Sequence, residues 1–417
     1  MDINPSRRIA IVGAGYAGMA AAVTLAQRGV RVTVFEAGPV AGGRARRVRA
    51  QGEDFDNGQH ILVGAYAELL RLMGTVGVAS DAVLRIPLEL RYADGFAFRS
   101  LWLPAPFGLL GGLLFSRKIP VRERIAAVRF MAFLKRNAFR VQKDMTVKIL
   151  LEQHAQDGTV GHYLWRPLCV SALNTPPQQA SAQVFATVLR DSLAGESEAS
   201  DLLLPRVDLS RLFPEPACRY VEEHGGQIRV STPVRAISGD LQIEGQSFSR
   251  VIVAVGPHQL KSLMPDLSPE FAYQPIYTCY LQYPESVRLP FPMLGLADGL
   301  VQWAFDRGAL LGERGRIACV ISAQGDQQQM QQDELAATCH RELAYGLHGL
   351  PDPKWSRVIA EKRATVACTP GSKARDWKAS PPGIFLAGDY TDPDYPPTLE
   401  AAVRSGVRAA HRALEAP

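Results

Sequence analysis

Cysteine is scarce and nowhere paired: Cys169, Cys218, Cys279, Cys319, Cys339 and Cys368 are the six among 417 residues, and no two stand in a C-x-x-C spacing. That argues against a zinc ribbon, an iron–sulfur centre and a disulfide scaffold, so no metal is expected, and it suits a reducing cytoplasm. Long apolar runs are missing too. The arginines Arg7 and Arg8 are followed by only Ile9 to Val12 before glycines intervene, too short for a secretory h-region. No stretch approaches the about 20 apolar residues of a membrane-crossing helix. A strong charge of one sign is also absent: 46 Lys and Arg against 41 Asp and Glu leave +5, so no nucleic-acid partner is expected.

At about 150 residues per domain the length predicts two to three domains. Residues 8–37 read as strand (RIAIV), turn (GAGYAG), Ala-rich helix stopped near Gly29, and strand (VRVTVFEA). Such a βαβ unit predicts a doubly wound parallel sheet. Helical patterns broken by Pro and Gly fill 104–205 and look like an inserted cap; strand signals return at GGQIRVSTPVRAIS and FSRVIVAVG. Alternating segments (IYTCYLQY, VQWAFDR, RIACVISA) and a polar helix follow, and GIFLAGDY with TLEAAVRSGVRAAHRAL closes the chain. The expected organisation is α/β: a discontinuous nucleotide-binding domain from 1–82, 205–264 and 370–417, and a discontinuous α+β substrate or cap domain from 83–204 and 265–369.

Gly13, Gly15 and Gly18 stand at G-x-G-x-x-G spacing in the strand-to-helix turn, where missing side chains let the backbone approach a pyrophosphate at the helix's positive end. Glu36 ends the second strand, 21 residues after Gly15, placed to accept both ribose hydroxyls. This much does not separate NAD from FAD. Gly42, Gly43 and Arg44 add a glycine loop ending in a guanidinium, suited to a second touch on the pyrophosphate, which favours FAD. Gly388 and Asp389 follow the apolar strand IFLA, where Asp389 could hold a ribitol hydroxyl. Thr398 reads as the N-cap of the last helix, whose dipole could stabilise negative charge on a reduced flavin or simply serve the fold.

GAGYAGMAAAVTLAQRG, the GGR at 42–44 and LAGDYTDPDYPPTLEAAVRSGVRAA resemble the FAD-dependent amine oxidase and phytoene desaturase superfamily. FDNGQHILVGAY at 55–66 and LWRPLCVSALNTPPQQASAQVFATVLRDSL at 164–193 resemble its squalene-associated branch, the hydroxysqualene dehydroxylases of hopanoid biosynthesis. The resemblance implies a Rossmann-like FAD domain held by Gly13, Gly15, Gly18, Glu36, Arg44 and Asp389, with the Val234 backbone at the adenine. It extends the set to Ala14, Ala17, Ala37, Gly43, Gly58, Gln59, His60, Gly388, Thr398 and Leu399. It further implies an allylic alcohol that loses its hydroxyl and accepts hydride from reduced FAD to give squalene, a long-chain isoprenoid. At 395–399, YPPTL departs from the amine oxidases: Thr398 supplies no aromatic wall for an amine cage. A carotenoid-type desaturase, an amine oxidase and a non-enzymatic prenyl-lipid binder like the Rab escort relatives remain the alternatives. The electron donor is unassigned.

Such chemistry needs a proton donor and a dry pocket. His60 is the first candidate donor, since an imidazolium acts near neutral pH; Asp392, Asp394 and Tyr395 follow, though DPDYPP also reads as a rigid turn. Strand alternation puts Tyr277 and Tyr283 on one face, and Trp303 and Phe305 on one face of another segment; the four are expected to line the substrate pocket, although aromatics so placed are more often ordinary core. Residues 101–118 join fifteen uncharged positions to Arg117 and Lys118. They read as a segment dipping into one leaflet on the inner face of the cytoplasmic membrane, with Trp102 and Phe107 as anchors, or as a buried piece of the cap.

Overall fold

The structure is a computed structural model describing residues 8–101, 103, 107–116, 118–193, 197–267, 270–371, 380–392 and 394–415. Trp102, one of the two expected membrane anchors, and Arg117 of the basic flank lie outside the described residues.

Ile9, Ala10, Ile11 and Val12 are all buried, because their strand is the middle of a five-stranded sheet and both of its faces are covered. The order is Gln227–Arg229, Arg31–Phe35, Arg8–Val12, Arg250–Val253 and Ile384–Leu386, every pairing parallel. Three widely separated pieces of chain thus build one sheet. Its covering helix, Tyr16–Ala26, is buried at every residue, which explains its alanine content: only small side chains fit between sheet and neighbours. The closing helix, Leu399–Glu415, lies against it so closely that a Cβ on Gly406 would overlap the Ala17 carbonyl. This contact fixes where the closing helix begins.

A second sheet is antiparallel, ordered Met293–Gly295, Trp303–Asp306, Arg316–Ser322, Tyr273–Gln282 and Trp355–Val366. Helix Gln332–Gly346 packs on one face, over a core holding Tyr277, Cys279, Leu281 and Tyr283. The opposite face joins the helical cap, Phe107–Phe115, Val121–Arg136, Val147–Gln153, Arg166–Leu173 and Ala182–Leu193, in one apolar cluster that includes Trp303, Phe305 and Val320. Of the expected domain division, the cuts at 82/83 and 204/205 fall in a small sheet where Val83–Ile86 pairs with Leu202–Pro205, which also pairs with Leu62–Val63. The two halves are stitched together at that point.

Candidate functional site: a two-lobed cleft at the carboxyl ends of the parallel strands

A single cleft of about 1250 Å³ opens beyond the carboxyl ends of the parallel strands. Ordinary small-molecule sites hold about 300–1000 Å³, so this one has room for a large ligand and more. One lobe is built by two glycine loops. Gly13 adopts φ +102°, and a Cβ there would lie 2.6 Å from the Ala254 carbonyl oxygen. Gly15 ends the turn as N-cap of the first helix without any side-chain cap, so the first amides of that helix face the cleft. Gly42 donates its amide to the Ala14 carbonyl at 2.8 Å, and a Cβ on Gly43 would approach the Gly15 Cα to 3.1 Å. The two loops therefore form one side-chain-free cradle.

Glu36 closes this lobe. Its carboxylate accepts from the Ala14 amide at 2.8 Å and the Gly38 amide at 2.7 Å, which holds it in the cleft wall beside Ala37 and Val234. Ala14 and Gly18 do not line the cleft. Ala14 works through its backbone, and Gly18 lies beneath the Gly13 carbonyl, where a Cβ would overlap it.

Arg44 spans the middle of the cleft, donating to Asp389 at 2.6 Å and to the Ala364 carbonyl at 2.7 Å. Burial works against its charge, and the adjoining Asp389 carboxylate more than offsets this, so its pKa lies above the ordinary value. Asn57 donates to the Arg44 carbonyl at 2.9 Å and to Glu361 at 3.2 Å, fastening the GGR loop to the second sheet. Gly58, Gln59 and His60 line the wall next to it. Beneath them Arg307, only 2% exposed, donates to Asp56 at 3.0 Å, to Gln59 Oε1 at 3.1 Å and to Glu313 at 2.7 and 2.8 Å. Sequence reading missed Arg307 and Glu361; the FDNGQH block was the available signal, since Asp56, Asn57 and Gln59 are the residues these two grip.

His60 takes part in the wall through Nδ1, 3.1 Å from the Gly58 carbonyl. Burial pushes its pKa below the ordinary value, assisted by Arg44, so the ring is uncharged at neutral pH. The lowered pKa works against the imidazolium expected at this position, and the Gly58 carbonyl partly opposes the shift. Asp392 and Asp394 also fall away from the cleft: Asp392 pairs with Arg408 at 3.4 Å and Asp394 is exposed. Tyr395 does line it, only 8% exposed, with the Arg404 guanidinium 4.6 Å from its ring centre. Burial pushes its phenol up to about 12.

The other lobe is apolar. Leu88, Leu164, Leu168, Val188, Met293 and Ile359 face it, together with Trp303 and Phe305. Tyr277 and Tyr283 do not. Strand register pairs Trp303 with Val320 and Val320 with Thr278, so Trp303 shares a face with Thr278 and the odd-numbered tyrosines point to the other side, into the core under helix Gln332–Gly346. The lobes meet at the start of the closing helix, where Thr398 Oγ1 accepts from the Ala401 amide at 3.2 Å and Thr398, Leu399 and Ala402 line the cleft. Gly388 lines it beside Asp389 and donates to Ser405 of that helix at 2.8 Å. Among the described residues no group of three or more His, Cys, Asp or Glu is arranged to hold a metal ion.

These features fit FAD: a cradle that any side chain on Gly13 would fill, open helix amides for a pyrophosphate, a fixed carboxylate for a ribose, and a helix terminus at the far end for the flavin. Gly13, Gly15, Gly43, Arg44, Glu36 and Asp389 are the residues that could hold it. Comparison with known proteins agrees. The family model for flavin containing amine oxidoreductase matches residues 16–414. Hydroxysqualene dehydroxylase of Sinorhizobium fredii is 28% identical over 430 residues, covering 98% of this chain and 98% of its own. The Rhodopseudomonas palustris hydroxysqualene dehydroxylase is also 28% identical, covering 99% of each chain. The crystal structure of an oxidoreductase from Methanosarcina mazei shares the fold with a TM-score of 0.70 at 15% identity, over 97% of this chain and 100% of that one. With FAD as its cofactor and redox chemistry as its trade, the chain belongs to the flavin-containing amine oxidoreductase family.

Proposed function

We propose that the protein is a hydroxysqualene dehydroxylase, converting an allylic C30 alcohol to squalene, a hopanoid precursor. The observation that carries this reading is the continuity of the cleft: an apolar lobe lined by leucines, Trp303 and Phe305 runs into the glycine cradle with no wall between. A polyisoprene chain fits such a lobe, and its apolar walls keep water from capturing a developing cation. The names of the relatives at 28% identity point the same way. When bound and reduced, FAD supplies the hydride. The carbon–oxygen bond breaks with its electron pair leaving on oxygen, that oxygen takes a proton and departs as water, and the carbon accepts a hydride, one proton and two electrons, in its place. A lipid substrate also motivates peripheral contact between residues 101–118 and a membrane.

We assign the proton to Tyr395. Its phenol stays protonated at neutral pH because burial holds its pKa near about 12. Transfer to a departing hydroxide is still downhill, since water has a pKa of about 15.7. Arg404 against its ring then stabilises the phenolate. Tyr395→Phe is expected to lower squalene formation by about 100-fold or more with FAD content unchanged, whereas His60→Gln is expected to cost far less; full turnover in the phenylalanine variant removes the assignment. The function itself is tested by mixing anaerobic, prereduced protein with hydroxysqualene. Squalene should appear as the flavin colour returns. Failure to form squalene, coupled with oxidation of phytoene by the oxidised protein, would establish a desaturase instead.

A further inference from the structure

Among the described residues, eleven large apolar side chains are left exposed, and seven of them lie between positions 101 and 125. The concentration has a structural cause. Helix Phe107–Phe115 presses its glycines into the protein: a Cβ on Gly108 would lie 2.6 Å from the Leu101 carbonyl oxygen and one on Gly112 2.5 Å from that of Arg99. With Leu109 and Leu113 buried as well, Phe107, Leu114 and Phe115 are turned to the outside, Phe107 and Phe115 at 62% and 74% exposure. A surface helix in water ordinarily shows polar residues on that side. This one has none in its entire length.

The next helix, Val121–Arg136, continues the surface. Arg124 donates to the Leu114 carbonyl at 2.8 Å and the Ile119 carbonyl at 2.6 Å, folding the two helices into a tight corner where Leu114, Phe115, Val121 and Ile125 are exposed together. Along the second helix Arg122, Arg129 and Arg136 recur at seven-residue intervals, all exposed, and so share one face with Ile125. Residues 101–143 contain nine Lys and Arg and a single acid, Glu123, although the chain as a whole is only +5. Even that acid is turned inward, accepting from the Val160 amide at 3.2 Å. The protein's positive charge is therefore collected beside its exposed apolar corner, and the remainder of the chain is net negative.

We propose that these two helices form a docking platform for an anionic lipid bilayer, in which the apolar corner enters the interface and the arginine row of Val121–Arg136 meets lipid phosphates. The platform reaches well past residue 118 and depends on the second helix as much as on the first. An apolar corner alone would suit many partners; the adjoining row of one charge sign selects a surface that is both greasy and negative. Leu109, Leu113, Phe130 and Leu134 of the two helices share one core with Leu88, Leu90 and Leu164, which also face the apolar lobe, so the platform is the outer layer of the lobe's own roof. What docking serves rests on the isoprenoid reading; docking itself does not, and its test uses no substrate.

The test is sedimentation of the FAD-loaded protein with vesicles of phosphatidylglycerol and phosphatidylethanolamine, set against neutral phosphatidylcholine vesicles. The anionic vesicles are expected to carry down at least about tenfold more protein, and the excess to fall with salt as the charges are screened over a Debye length of about 10 Å at 0.1 M. Phe107→Ser with Phe115→Ser, and separately Arg122→Glu with Arg129→Glu, should each lower anionic recovery by about tenfold while the flavin spectrum and the melting temperature stay unchanged. Wild-type protein remaining in the supernatant with both kinds of vesicle overturns the proposal. So does equal binding by the charge-reversed variant, and so does a dimer in light scattering that Phe115→Ser dissolves while no vesicle binding is seen, since a second copy then covers the corner. A protein that binds vesicles but makes no squalene retains the platform and loses the proposed reaction.

Discussion

Gly13→Val is expected to give protein that emerges from gel filtration colourless, having lost FAD altogether. The reason is local and severe. Gly13 sits at φ +102°, a region that β-branched residues essentially never adopt, and its Cβ would come within 2.6 Å of the Ala254 oxygen. Ala254 cannot retreat, because its amide is bonded to the Val12 carbonyl at 2.8 Å and the preceding strand is in register with the central one. The valine methyls would then occupy the cradle itself. Gly29→Ala supplies the comparison: φ is again positive, +71°, but nothing lies within 4 Å of the added carbon. That substitution should cost only about 1–2 kcal/mol of backbone strain and leave the protein yellow. Gly43→Ala lies between them, its new carbon 3.1 Å from the Gly15 Cα, and should keep the fold while weakening FAD retention. Visible spectra and thermal melts of the three variants decide the matter; a Gly13→Val protein that melts normally and retains a full complement of flavin would show that the cradle has another purpose.

The cradle was legible in the sequence because its parts are local: a glycine turn, a carboxylate at the next strand end and a second glycine loop all lie within residues 13–44. The parallel sheet followed from the same βαβ unit, and its later strands from short apolar runs. What escaped was whatever depends on pairing across the chain. Alternation showed that Tyr277 goes with Tyr283 and Trp303 with Phe305, but only strand register decides that the first pair faces away from the cleft. The strand Trp355–Val366 carries Glu361, Lys362 and Arg363 in succession, so it lacks the apolar alternation of a half-buried strand although it forms a wall of the cleft. Asp392 and Asp394 sit beside Asp389 in sequence, yet the turn that follows Gly388 directs only Asp389 and Tyr395 inward. The roles of Asp56 and Gln59 were hidden for the same reason: their partner, Arg307, is about 250 residues away and has no motif of its own.

That partnership carries the second large effect. Arg307→Met is expected to destabilise the folded protein by about 3–5 kcal/mol at neutral pH, because it leaves the buried Asp56 carboxylate without its counter-charge. Asp56 is held in place by three interactions, with Arg307 at 3.0 Å, with the Leu209 amide at 2.9 Å, and through its carbonyl with the Tyr280 hydroxyl at 2.9 Å, so it has no route to solvent. Burial already raises its pKa above the ordinary carboxylate value, and Arg307 is the largest influence pulling it back down. Removing Arg307 raises it further. A carboxyl whose folded pKa exceeds its unfolded one contributes full stability below the unfolded value and loses it as pH rises through the folded value. The penalty in Arg307→Met should therefore be small in acid and widen as pH climbs toward neutrality, in the same direction as for a surface salt bridge but well beyond the about 1 kcal/mol such a pair contributes. Adding Asp56→Asn should recover much of the loss and flatten the pH dependence, since the amide needs no counter-charge. Urea midpoints of the wild type, the single variant and the double variant across that pH range test this. If the gap between wild type and Arg307→Met instead narrows with rising pH, the buried charge is not what Arg307 holds, and the FDNGQH wall must be braced by Gln59 and Glu313 instead.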